Sequence, residues 1–454
     1  MWPLKTTLYF VLFWGACIMA LVNPIWGLIN YMMTYQVNPG NAWWGIPLQS
    51  LGMRFSMLAA VFTVVGLFFG RKRVPSIRPV LSLWEVGVVA LLLIAAVNLA
   101  IGFGHNKSSA YAFEKFWKML LFVLILGRLA TTRYNFRLVL WTLVIGSLYL
   151  GYDAFTAPRS AFWLGRLERI GGPDFYTTSG TAAHCAAMLP LIGIAFLISK
   201  HWKWRLLAVV SGAFTFNAII LCRTRSAFVG LVCGVLAAFL TAPRARRWRI
   251  HAMLLSGGVL AFTLTDNHFW NRMGTLADKQ ALAADAAAVA RSEIWLTSIQ
   301  ILRDNPFGIG PGNFPRVIGE YDPRYRKRSA HNTLIVCFTE LGIHGGAMFI
   351  LLALGSLEML RRSAKLAGAT ENPLETKLIA YGLLTAFVTY FVTGLGTERF
   401  YCESFWWVLA LPLCLHRMVR REAAAAVLAP ALTEPMRTDQ EDLALWGRLQ
   451  HGIG

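Results

Sequence analysis

Charged residues are scarce in this chain. Asp, Glu, Lys and Arg make up 15% of its 454 residues, against roughly 25% in an average soluble domain. With 56% hydrophobic residues and a mean hydropathy of +0.52, that shortage excludes an ordinary water-soluble domain. Acids are the scarcest group, 23 against 43 Lys and Arg. No D-x-D tripeptide occurs, and the segment Gln36–Gly52 holds no carboxylate. Paired acids are the usual way to hold a divalent cation against a pyrophosphate, so no metal is expected. The seven cysteines show no C-x-x-C spacing, and Cys17, Cys185, Cys233, Cys337 and Cys414 lie in apolar stretches. They read as small hydrophobes rather than a disulfide or zinc framework. No internal repeat is visible, which argues against a transporter built from repeated halves, and nothing calls for a cofactor.

What the chain has instead is a succession of apolar runs near the bilayer-spanning length of about 20 residues. Window length gives about twelve spans. The first runs from Leu8 to Tyr35, broken near Asn23-Pro24, and is read as a retained helix because no small-residue cleavage site precedes the break. The others are Phe55–Phe69, Leu83–Ile101, Phe116–Leu129, Leu138–Phe155, Thr181–Ile198, Leu206–Leu221, Ala227–Leu240, Ile250–Leu264, Asn332–Leu357, Leu378–Leu395 and Ser404–Leu415. The expectation is an all-α polytopic membrane protein. Residues 1–264 and 331–421 form two sets of transmembrane helices, 265–330 a large outer loop with surface helices, one of them amphipathic, and 422–454 a cytoplasmic tail.

Loop charge orients the spans. Arg71-Lys72-Arg73, Arg128/Arg133/Arg137, Lys200/Lys203/Arg205, Arg244/Arg246/Arg247/Arg249, Arg361/Arg362/Lys365 and Arg417/Arg420/Arg421 fall on one side in strict alternation. Short loops rich in Lys and Arg face the cytoplasm, so both termini are expected there. The net charge of +20 is thus a topology signal, and no nucleic-acid partner is expected.

The opposite face then carries Gln36–Gly52, Thr156–Gly180, the Arg223–Arg225 turn and the long loop Thr265–Ala330. Within that loop Ala281–Leu302 reads as a helix stopped by Asn305-Pro306, with Arg291 and Trp295 four apart on one face. Pro306–Asn313, rich in Gly and Pro, reads as a tight turn. It lacks the Lys-Ser/Thr of a phosphate loop, so shape is the favoured role over phosphate cradling.

Arginines are unusual on an outer face. Arg223, Arg225, Arg291 and the run Arg324, Arg326, Lys327, Arg328 suit a lipid-linked phosphate or pyrophosphate, which guanidinium forks grip in bidentate fashion. The competing reading is contact with lipid headgroups or snorkelling. His331, at the mouth of an apolar helix, is either a backbone-bonded helix-start residue or a base for an attacking hydroxyl. Glu340 and His344 sit one turn apart in the same span and suggest an inward polar stripe. Asp174 and His184 read as structural, and Glu398 and Arg399 as a pair or as part of the cavity.

Together, Thr224-Arg225-Ser226, Arg291 with Trp295, Asp304–Phe314, and His331-Asn332 followed by Glu340–Ile343 resemble the O-antigen ligase and polymerase superfamily. Asn38-Pro39, Trp43-Trp44-Gly45 and Arg169–Asp174 are similar to its branch of O-glycosylation ligases found in exosortase-associated gene sets. The resemblance implies a GT-C-like helical fold in a bacterial inner membrane, with the active site on the periplasmic side. The donor would be a glycan on undecaprenyl pyrophosphate and the acceptor a glycan, lipid or protein hydroxyl, with inversion and no metal. A polymerase joining lipid-linked repeats is the alternative, and a lipid-linked glycan transporter a more distant one. Arg225 and Arg291 would hold the pyrophosphate and His331 would activate or position the acceptor. Arg223, Arg328, Asn332, Trp295 and Glu340 are the further candidates for binding substrate. The superfamily commonly has Ser-Arg-Gly where this chain has Thr224-Arg225-Ser226, which leaves open whether Arg223 or Arg225 faces the substrate.

Overall fold

The computed structural model describes residues 2–69, 81–104, 106–168, 170, 172, 174–276 and 278–433. The basic triplet Arg71-Lys72-Arg73, Arg169 and the tail beyond residue 433 lie outside the described residues.

Backbone polar groups in an apolar medium must be satisfied within their own segment, which makes helices of apolar runs. The helices are α1 Leu4–Val22, α2 Ile25–Val37, α3 Ile46–Gln49, α4 Phe55–Phe69, α5 Leu83–Ile101, α6 Lys107–Leu129 and α7 Arg133–Phe155. A two-residue hairpin follows, β1 Phe162–Trp163 with β2 Arg166–Leu167. Then come α8 Thr178–Ile198, α9 Trp202–Cys222, α10 Arg225–Thr241, α11 Arg247–Leu264, α12 Asn267–Gly274, α13 Lys279–Ala284, α14 Ala286–Asp304, α15 Phe314–Tyr321, α16 Thr333–Leu366, α17 Pro373–Gly394 and α18 Glu403–Thr433.

Every expected span but the first lies within one helix, to within a residue at its ends, and the protein is an all-α, multi-pass membrane protein. The count of about twelve does not stand as made. Among the described residues seven helices are long and apolar enough to cross a membrane, namely α1, α5, α7, α8, α9, α16 and α17. The number reaches eight if α10 and α11, bent by 103°, count as one span. The rest fall short for physical reasons. The helices α2 and α4 have 13 and 15 residues, and α6 and α18 carry several ionisable residues, such as Glu114, Lys115 and Lys118 in α6.

The first expected span is in fact a hairpin. Asn23 leaves the helical region and Pro24 starts a second helix, so α2 folds back on α1. The Asn30 amide donates to the Phe13 carbonyl, Tyr9 meets Thr34, and the Thr6 hydroxyl donates to the Trp44 carbonyl. The start of α1 therefore shares a face with the Trp-rich loop instead of lying opposite it, which corrects the placement of the N-terminal end with the basic loops. A window of bilayer length had merged two helices into one.

One end of the bundle is tied by ion pairs of Arg417 with Glu85, of Arg133 with Glu375 and Glu422, and of Arg137 with Glu375. At the other end Asn106 bonds Asn313, and Arg399 bonds the Asp174 carbonyl. That second end is the site face. Between the ends, Trp406, Trp407, Phe349, Phe400 and Tyr390 form the fully buried centre.

Two close approaches position the site. Gly230 and Gly234 of α10 lie against Thr393 and Thr389 of α17, where an added Cβ would stand 1.9 and 2.0 Å from the threonine hydroxyls. This fixes the top of α10, and with it Arg225. Second, α16 breaks at Gly342, whose φ of 73° only glycine adopts freely. The break frees the carbonyls of Thr339 and Glu340, which accept from the N–H groups of Ile309 and Gly310 at 3.0 and 2.9 Å; the Ile343 N–H donates to the Pro306 carbonyl at 2.9 Å. The Pro306–Asn313 turn thus closes the broken helix. Its spare N–H groups are used as well: Gly312 and Phe314 donate to the Glu340 carboxylate at 2.7 and 3.1 Å. Shape, not phosphate cradling, is its role.

Candidate functional site

Four arginines meet at the site face. Arg225 begins α10, Arg291 projects from α14, Arg272 from α12 and Arg166 from β2. Each of Arg272 and Arg291 feels the charge of Arg166, Arg225 and the other members of the group, and burial is the largest cause that lowers both pKa values. Removing cations from water and crowding them costs free energy unless an anion joins them. A single carboxylate does so here. Asp285, the N-cap residue of α14, pairs with Arg225 through Oδ2 while Oδ1 accepts from the N–H groups of Ala287 and Ala288. Burial alone would raise its pKa; the Arg225 pairing and the two N–H groups overcome that and hold it low.

The remaining hydrogen-bonding capacity of the cluster is largely unspent. The Arg291 guanidinium has no hydrogen-bond partner among the described residues, and the buried Nε of Arg272 has none. Arg166 reaches only the Cys222 carbonyl, at 3.5 Å. The Thr224 hydroxyl, beside Arg225 at the start of α10, is buried and unpaired. Such unmatched donors are uncommon in a folded chain, and their sign is that of a site for a polyanion.

Arg223 lies apart from the cluster. It ends α9 in the left-handed region with φ 47°, pairs with Asp266, and donates to the Gly165 carbonyl at 3.0 Å. Arg225, rather than Arg223, therefore stands with Arg291.

His331 sits beside this cluster on a constrained turn. Its φ of 50° is left-handed, which costs a non-glycine residue on the order of 1–2 kcal/mol. Three contacts hold the turn. Trp295 Nε1 donates to the Ala330 carbonyl at 2.8 Å, the His331 N–H donates to Ser329 Oγ at 3.3 Å, and Ser329 in turn donates to Glu398. Asn332 then caps α16, accepting from Leu334 and Ile335 N–H groups at 2.9 and 3.2 Å. Among the described residues the imidazole makes no hydrogen bond. Burial, then the charges of Arg291, Arg328 and Arg399, push its pKa down to about 4, so the ring is neutral and its lone pair free at pH 7.

The other expected residues divide. Trp295 and Asn332 are joined to the site through the His331 turn. Arg328 is exposed, and its charge bears on His331. Glu340 is drawn away: its buried carboxylate is taken by Gly312, Phe314 and the Tyr401 hydroxyl. The break at Gly342 separates Glu340 from His344, which is exposed, so no polar stripe forms. Glu398 and Arg399 do not pair through their side chains: Glu398 holds Ser329, and Arg399 reaches the carbonyls of Glu398 and Asp174. Arg166 and Arg272 were missed by sequence reasoning. Their only signal was the excess of arginine on a face that normally has few. Among the described residues no group of three or more His, Cys, Asp or Glu side chains converges as a metal site would.

This is the architecture of a multi-pass membrane protein with an under-neutralised arginine cluster at one face. Residues 210–350 match the family model described as O-Antigen ligase, a segment that runs from within α9 to within α16 and includes Arg225, Arg272, Arg291 and His331. The match supports the resemblance to the ligase and polymerase superfamily. No curated protein matches the chain.

Proposed function

We propose that the protein is an inner-membrane glycosyltransferase of the ligase type, which moves a glycan from undecaprenyl pyrophosphate to an acceptor hydroxyl on the periplasmic side. The observation that carries this reading is the neutral, unpartnered His331 imidazole next to the under-neutralised arginine cluster. One site suits an attacking hydroxyl, the other a departing pyrophosphate.

In the reaction the acceptor oxygen bonds to the anomeric carbon from the face opposite the pyrophosphate, and the bond from that carbon to the phosphate oxygen breaks, inverting the centre. His331 takes the hydroxyl proton. Arg225 and Arg291 receive the negative charge that develops on the leaving group, as pre-placed donors do in electrostatic catalysis. Guanidinium groups supply the neutralisation, so no step is assigned to a metal.

Transfer by purified protein from a defined lipid-linked glycan tests the reading. Arg291→Ala should weaken donor use, and Arg291→Lys should restore it only in part, because a point charge lacks the bidentate fork. Full activity with Lys would reduce Arg291 to a charge and sink its assigned role. Product length then tests ligation against polymerisation. Polymer stranded on its carrier after deletion of the protein is the expected result; loss of a ladder of lengths would make it a polymerase.

A further inference from the structure

The arginine cluster holds more positive charge than the Arg225–Arg291 pair alone, and the surplus comes from Arg166 and Arg272. These residues arrive from separate elements. Arg166 ties the β1–β2 hairpin to the Cys222 carbonyl, close to the start of α10, and Thr275, the C-cap of α12, accepts from Arg225 Nη1 at 3.4 Å. The charge of each arginine bears on Arg291. Neither has a carboxylate of its own: Arg166 touches one carbonyl at 3.5 Å, and Arg272 keeps a buried, unpaired Nε. Among the four arginines Asp285 forms an ion pair only with Arg225. A carboxylate has two oxygens on one carbon, too few for four guanidiniums. A pyrophosphate spreads its oxygens over two phosphorus centres and suits paired forks.

We infer that Arg166 and Arg272 complete a two-phosphate site with Arg225 and Arg291, and that the Asp285 carboxylate is the anion held there until the donor's pyrophosphate displaces it. The inference rests on the reading of this cluster as the donor's grip. Asp285 is built for exchange. Its Oδ1 caps α14 while Oδ2 takes Arg225, so Oδ2 can release the guanidinium without uncapping the helix. The Thr224 hydroxyl, buried and unpaired at the start of α10, is a further donor for the phosphate beside Arg225. The site therefore selects diphosphate-linked carriers over monophosphate-linked ones.

The test is calorimetric titration of the full-length protein in detergent with inorganic pyrophosphate and, separately, inorganic phosphate. Wild type should bind pyrophosphate in preference to phosphate. Arg166→Gln and Arg272→Gln should each weaken pyrophosphate binding roughly ten-fold, the worth of a hydrogen bond to a charged group, with a much smaller effect on phosphate. Asp285→Asn should tighten pyrophosphate binding several-fold, because Asn caps a helix about as well as Asp but does not compete for Arg225. Asp266→Asn, which frees only Arg223, should change nothing. Thermal unfolding of each variant checks that the fold is kept. Unchanged pyrophosphate binding in both arginine variants, or weaker binding in Asp285→Asn, overturns the inference. If pyrophosphate binds as described but no glycan is transferred, the proposed function fails and this site stands. If wild type binds no pyrophosphate, both fail.

Discussion

Acidifying the assay should leave the donor-limited rate of the proposed transfer nearly untouched until well below the usual histidine range. The imidazole of His331 is held down to a pKa of about 4 by burial first and then by Arg291, Arg328 and Arg399, and only its neutral form accepts a proton. At pH 5.5 an imidazole with pKa near 4 is more than about nine-tenths neutral, whereas one at the ordinary 6.5 is only about one-tenth neutral. The acid limb of kcat/KM, which reports the free enzyme, should therefore fall near pH 4. The sign is fixed by the cause: cations disfavour the charged imidazolium, so removing one must move the limb to higher pH. Arg291→Gln removes the largest of the three charge effects while burial remains, so its limb should rise toward 6.5 without reaching it. Each variant is compared with its own plateau, which separates the limb from any loss of donor affinity. A wild-type limb at pH 6–7, or one that stays fixed in Arg291→Gln, would refute the electrostatic reasoning.

Two neighbouring arginines should behave differently, because Arg225 stands with Arg291 whereas Arg223 is occupied by Asp266 and Gly165. Arg225→Gln should raise the KM for donor by at least about ten-fold, with Arg223→Gln within a few-fold of wild type; equal losses would contradict the placement. Gly342→Ala should be strongly destabilising, since its φ of 73° is left-handed and the new Cβ would stand 2.5 Å from the Phe307 carbonyl carbon. A loss of more than about 2 kcal/mol is expected from strain and clash together, read as a lowered unfolding temperature, and an unchanged temperature would mean that the turn does not lock the broken helix.

The helices were legible because membrane insertion enforces length and apolarity, and α4 and α5 begin and end where the sequence placed them. The α1–α2 hairpin was not, because α2 is too short to register as a span and its break looked like a kink. The local motifs were visible as polar residues, Arg225 and His331 at helix mouths and Arg291 on one face of the surface helix. Arg166 and Arg272 were not, since one lies in a two-residue strand and the other in an eight-residue helix, and neither segment has a period to read. Glu340 misled for a related reason. Helical spacing joined it to His344, but spacing assumes an unbroken helix, and the Gly342 break is specified jointly with a turn about 30 residues away, a pairing that spacing along one helix cannot reveal. The Leu341–Gly346 stretch, with three glycines, held the hint.

The most direct test of the account is transfer by reconstituted His331→Ala, measured alongside its binding of the lipid pyrophosphate. Product formation should be abolished while pyrophosphate binding and unfolding temperature stay near wild type. Near-normal product from that variant would contradict the account.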